Sequence, residues 1–174
     1  SLFPRIFSGW EVYLPGAILF GANMKEEKIH FYGTRAEHGY MSNFARYPVK
    51  MDGVLYKTSE HYFQAMKFEG TKWESKVRNA GGPMEAATLG RDRSLPLRKD
   101  WESVKDNIMR KVVEAKFRQH PEIAKQLLAT GDATLIEDTS SSGDDYWGKV
   151  NGKGKNMLGI ILMEVRKKLQ DENR

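Results

Sequence analysis

Trp101, Val104, Ile108, Val112 and Ala115 recur at three- and four-residue intervals through an otherwise charged stretch. That spacing gathers them on one side of an α-helix about four turns long. An apolar stripe of that length has to be covered by other elements, so the chain must supply partners for it. Leu158, Ile161, Leu162, Val165 and Leu169 repeat the pattern and mark a second long helix.

The partners are legible as shorter segments. Ser59 reads as the N-cap of a helix running to about Phe68. Two further helices follow, one around 72–80 and one opened by Pro83 in its first turn, and Pro121 starts another. "KIHFYG" and "ATLIED" are strand candidates, and "YPVKMDGVLYKT" reads as two strands around an Asp-Gly turn. No internal repeat interrupts the series. The predicted fold class is α+β, a mostly helical single domain with a small β-sheet, and 174 residues suit one such domain. Residues 1–27 read as an extension to the domain at 28–174. There "EVYLPGAILF" sets Pro15-Gly16 between two apolar runs, as a type II turn requires, which fits a hairpin packing on the domain.

Composition narrows the chemistry. With no cysteine, a disulfide framework, a zinc–thiolate site and a cysteine nucleophile are excluded. The net charge of +5 is compatible with a phosphate-bearing or nucleic-acid partner but common without one. "LPGAILFGA" is too short to span a bilayer, and the segment before it carries Glu11 and lacks the basic start of a signal peptide. An intracellular, cytoplasmic location and a monomeric state are the expectations.

"TSEHYFQAMKF" concentrates polar chemistry in an apolar setting. At helical spacing Glu60, Phe63, Gln64 and Lys67 share an arc of roughly 100°. An acid, an amide and an amine therefore form one row. Two readings fit it: an exposed face with a Glu60–Lys67 pair, stabilising by a few tenths of a kcal/mol, or the floor of an active site. The flanking Phe63 and Phe68 argue against a solvated face. His61 has no partner histidine at ligand spacing, and neither do His30, His38 and His120, so no metal site is expected.

Two more segments carry candidates. "SSGDDYWGKVNGKGKN" sets Asp144 and Asp145 beside Tyr146 and Trp147, a combination suited to a flat base and a polar sugar, or simply to a loop that plugs the core. Lys153 and Lys155 then precede the last helix, where an anion would be favoured. "GRDRSLPLRKDW" adds Arg91, Arg93, Arg98 and Lys99, either phosphate-binding or a solvated basic face.

In this order "FYG", "YMSNFARYPVKMDG", "TSEHYFQAMKF", "LGRDRSLPLRKDWESVK", "DDYWG" and "GKGKNMLGIILMEVR" resemble the YbiA-like, or NADAR, family from about Ile29 to Leu169. Residues 1–27 and a small "KVN" insertion fall outside the match. The resemblance implies an N-glycosidase that cleaves a bond between ribose and a nitrogenous base. The substrate it implies is ADP-ribose on guanine, as in modified DNA, or a ribosylated pyrimidine intermediate of riboflavin synthesis. It implies function at Glu60, Lys67 and Asp145 as catalytic residues and at Trp101 and Trp147 as plates sandwiching a base. Gln64 completes the row, and Arg35, Asn43, Arg91 and Lys155 lie in matching segments and can bind phosphate or sugar hydroxyls. No cofactor is expected. Lys67 either forms a Schiff base with the sugar or only positions it, and a non-catalytic ADP-ribose or NAD-binding module is the alternative of another class.

Overall fold

The computed structural model describes residues 25–174. The hairpin expected around Pro15 and Gly16 lies outside the described residues.

The stripe beginning at Trp101 forms the longest helix, α4 (Trp101–Gln119), which buries Trp101, Ile108, Met109, Val112, Val113 and Phe117. Its buried face is wider than the sequence stripe because α4 meets neighbours on several sides. It packs against α1 (Ser59–Met66), α5 (Pro121–Ala129), α6 (Met157–Glu172) and β2 (Val49–Met51). The remaining elements are β1 (Lys28–Phe31), β3 (Val54–Tyr56), α2 (Lys72–Arg78), α3 (Pro83–Arg91) and β4 (Thr134–Glu137). Both prolines that open helices stand in the first turn, where a missing N–H costs nothing. No helix of the described residues is long and apolar enough to cross a membrane.

Among the described residues the strands form two separate pairs. β2 and β3 form an antiparallel hairpin across Asp52 (φ 48°) and Gly53 (φ 81°), two successive left-handed residues that match the twist of the paired strands. β1 instead pairs parallel with β4, Ile29 opposite Leu135 and Phe31 opposite Glu137. A parallel pair needs a crossover, and here α1 to α5 supply it. The molecule is thus α+β and mostly helical.

Two close contacts fix the elements that frame the site. Lys116 is buried in α4, and its Nζ donates to the Ser42 carbonyl at 2.9 Å while lying 5.6 and 5.5 Å from the rings of Tyr47 and Phe117. Burial pulls this amine down to about 7. The bond holds the segment Ser42–Phe44 against α4. At the other side, α6 meets β4 through Gly159, where a Cβ would stand 2.2 Å from the Leu135 carbonyl oxygen. Gly159→Ala should therefore destabilise the fold by about 1–3 kcal/mol, the usual scale of overpacking. Urea unfolding measures this, and an unchanged midpoint would show that helix and strand separate at no cost.

Candidate functional site

Helix α1 is capped by Thr58, one residue earlier than the sequence suggested. Thr58 is extended (φ −148°, ψ 165°), and its Oγ1 accepts the His61 N–H at 3.2 Å. The Ser59 hydroxyl is engaged elsewhere, donating to Asn43 Oδ1 at 2.9 Å. The helix ends at Met66 rather than Phe68. Every residue from Thr58 to Phe68 is buried, which removes the exposed-face reading. His61 is a packed residue: Nε2 lies 3.1 Å from the Ala80 carbonyl and Nδ1 2.8 Å from Thr58 Oγ1. Burial lowers its pKa, so it stays neutral.

The row on α1 forms one wall of a cavity of about 790 Å³. Glu60, Phe63, Gln64 and Lys67 face Glu137 at the end of β4 and Asp144 and Trp147 in the loop that follows. Asn43 and Phe44 come from the segment that Lys116 holds, and Met84 and Arg91 from the two ends of α3. Tyr32 and Met84 are large apolar side chains left exposed at this cavity.

Within the cavity the acid and the amine do not pair directly. Among the described residues no ion pair joins Glu60 to Lys67; Glu60 Oε1 instead accepts Gln64 Nε2 at 2.7 Å. Lys67 Nζ donates to the Gly90 carbonyl at 3.1 Å and lies 5.5 Å from the Trp101 ring and 5.8 Å from the Phe63 ring. Burial pulls this amine down to about 8; Arg93 and Arg91 push the same way, and Glu60 opposes them. Burial pushes the Glu60 carboxyl up, while the Gln64 bond and the charges of Lys67 and Arg91 draw it back. The arrangement therefore supplies, in one cavity with a carboxyl group, an amine with a larger neutral fraction than an exposed lysine has. Its floor is tight: a Cβ at Gly90 would stand 1.8 Å from Gln64 Oε1.

Asn43, Glu60, Gln64, Lys67, Arg91 and Trp147 come together around this cavity. Four others do not. Asp145 is exposed and outside the lining, whereas its neighbour Asp144 lines it. Asp144 Oδ1 accepts the backbone N–H groups of Tyr146 (3.0 Å) and Trp147 (2.9 Å), a turn that faces Asp144 inward and leaves Asp145 in solvent. Trp101 is 4% exposed and packs behind Phe63 at 5.0 Å, and Trp147 meets the same ring at 5.2 Å. Both indoles thus pack on Phe63, and Trp101 does not line the cavity, so the structure does not set the two as facing plates around it. Lys155 is exposed, with Nζ 4.7 Å from the Tyr146 ring. Arg35 lines a neighbouring cavity of about 680 Å³ with Arg46, Tyr40 and Tyr47.

The basic run is also divided. Arg91 reaches the cavity, Arg93 Nη1 donates to the Gly90 carbonyl at 3.0 Å, and Arg98 is engaged by Glu69 and Asp100, each at 2.7 Å. Glu137 was not singled out from the sequence. The one signal for it is a carboxylate closing an apolar strand, "TLIE".

A model of the NADAR domain matches residues 30–170. The chain is 52% identical over 150 residues to the N-glycosidase YbiA of Escherichia coli, covering 86% of this chain and 92% of that protein. It is 40% identical to the N-glycosidase Npun_R5314 of Nostoc punctiforme over 82% of this chain and 93% of the other. It is also 39% identical to the riboflavin biosynthesis protein VVA0006 of Vibrio vulnificus, over 86% of this chain but 41% of that longer protein. The NMR structure of Escherichia coli YbiA superposes with a TM-score of 0.78, covering 86% of this chain and 89% of that one. A family match over most of the chain, a relative at this identity and a shared fold agree: the chain belongs to the NADAR domain family.

Proposed function

We propose that the protein is an N-glycosidase that hydrolyses the bond between a ribose and a nitrogenous base, with Lys67 as nucleophile. The observation that carries this reading is the buried row Glu60–Gln64–Lys67, whose amine makes no direct ion pair with any described residue and is drawn down to about 8. The neutral Lys67 amine attacks the anomeric carbon. The bond to the base breaks, and its electron pair leaves on the base nitrogen, which gains a proton. A proton passes from the new amine to the ring oxygen as the sugar ring opens, giving a Schiff base, which water hydrolyses to free sugar and regenerated lysine. Positive charge builds at the anomeric carbon along this path, and the Glu60 carboxylate is the group that offsets it. Trp147 and Asn43 supply a plate and a polar contact for the ligand. Asp144, at the place first expected for Asp145, takes the role toward the ribose hydroxyls.

For the substrate we propose ADP-ribose on guanine in DNA; Arg91 in the cavity and the net positive charge favour a phosphate-rich ligand. A second reading, a ribosylated pyrimidine of riboflavin synthesis, is favoured by the naming of VVA0006 as a riboflavin biosynthesis protein. Offering both substrates side by side separates them. Release of free ADP-ribose names the first, and release of ribose 5-phosphate names the second. Tight binding of ADP-ribose with no turnover of either glycoside would leave a binding module and overturn the catalytic reading.

A further inference from the structure

Glu137 stands in the cavity wall with no role in the scheme above. It closes β4, and its backbone is fixed on both sides. Its N–H donates to Asn156 Oδ1 at 3.0 Å, and its carbonyl accepts the Lys149 N–H at 2.8 Å. Asn156 holds that position with φ 57° and donates Nδ2 to the Leu135 carbonyl at 2.8 Å, so one side chain staples the strand end to the start of α6. The Glu137 carboxyl, by contrast, makes no hydrogen bond or ion pair with any described residue and lines the cavity opposite α1. A rigid backbone carrying an unengaged acid into a reaction cavity is how a proton donor is presented.

We infer that Glu137 is the general acid that protonates the departing base. This rests on the glycosidase reading above and assigns the one proton it left without a source. As the anomeric carbon–nitrogen bond breaks, its electron pair stays on the base nitrogen, and the Glu137 carboxyl proton moves to that nitrogen. The resulting Glu137 carboxylate later takes a proton from the water that hydrolyses the Schiff base, and the acid is restored. The carboxyl is protonated when needed: burial pushes it up to about 8, and the negative charges of Asp144 and Glu60 push in the same direction. The other charged groups at the cavity are Lys67 and Arg91. Two carboxyls then divide the work, Glu60 offsetting charge at the sugar and Glu137 carrying the proton.

The test compares leaving groups. Glu137→Gln should lower kcat by about 10²–10⁴-fold on the glycoside the wild-type protein turns over, whether ADP-ribosylated guanine DNA or the ribosylated pyrimidine. On a 4-nitrophenyl riboside, whose phenolate leaves without protonation, the same variant should keep most of its rate. The high-pH limb of the wild-type profile, set by loss of the Glu137 proton, should disappear in the variant. Folding is followed separately. An acid whose folded pKa is raised binds more protons folded than unfolded, so it lowers stability as pH rises from the ordinary carboxylate range to about 8. Glu137→Gln should therefore melt no lower than wild type at pH 8, and a lower melting temperature there would mean that Glu137 acts through packing. Equal loss on both leaving groups, or an unchanged rate on the base, overturns the assignment. Failure of the wild-type protein to cleave either base would overturn the glycosidase reading itself, and this inference with it.

Discussion

Lys67→Met should reduce turnover by about 10⁴-fold or more, the scale on which removal of a covalent nucleophile acts, while leaving the protein folded and more stable at neutral pH. Methionine preserves the unbranched packing against Phe63 and Trp101, so the substitution removes the amine with little change in shape. The stability gain follows from linkage. With its pKa lowered to about 8 from the ordinary lysine value of 10.5, Lys67 binds fewer protons folded than unfolded between those values. Wild-type stability contributed by this group rises with pH through that window, and below it the protein carries the full cost of a buried ammonium. That cost is on the order of 3 kcal/mol, and Lys67→Met removes it. Borohydride added during turnover should reduce the Schiff base to a stable secondary amine, found by mass spectrometry on the peptide containing Lys67. A folded Lys67→Met variant with wild-type turnover, or no adduct under trapping, sinks the nucleophile. The rate should also rise with pH toward about 8 as the amine loses its proton.

Glu60→Gln should cost about 10²–10⁴-fold in kcat, as loss of a charge placed to offset a developing cation does. Glutamine can still meet the Gln64 amide, so the α1 row keeps its shape and the loss reports charge. Burial raises the Glu60 pKa, so the wild-type rate should fall on acidification earlier than for an exposed glutamate, and the variant should lose this dependence. Circular dichroism and a melting curve separate the two outcomes. A folded variant with full activity would show that no carboxylate is needed at this position.

Periodicity reached the elements whose signal is local: α4 and α6 by their stripes, α3 and α5 by their opening prolines, the β2–β3 hairpin by Asp52-Gly53. It did not reach the pairing of β1 with β4, because a parallel partner about 100 residues away leaves no mark in either strand's own sequence. The same divide runs through the site. Glu60, Gln64 and Lys67 share one helix, so rotation about its axis sufficed to put them together. Asp144 and Asp145 sit on a loop without a period, and two backbone hydrogen bonds decide which of them turns inward. Trp101 was visible as a helix start but not as the backing of Phe63, and Glu137 looked like the end of an ordinary strand. Apart from that local turn, what pattern could not supply was a contact between segments distant in sequence.

Helix α1 has no solvent face: from Thr58 to Phe68 every side chain is enclosed. This bears on how such a sequence can change over generations. An exposed helix drifts freely on its outer side while the inner side is held, but here no position is neutral by default. Each substitution acts on packing, and at Glu60, Phe63, Gln64 and Lys67 on the cavity as well, so changes that alter which ligand is accepted are more readily absorbed at Tyr32 and Met84, the exposed side chains of the rim. Divergence of specificity is therefore expected to enter from the mouth of the pocket while its floor stays fixed.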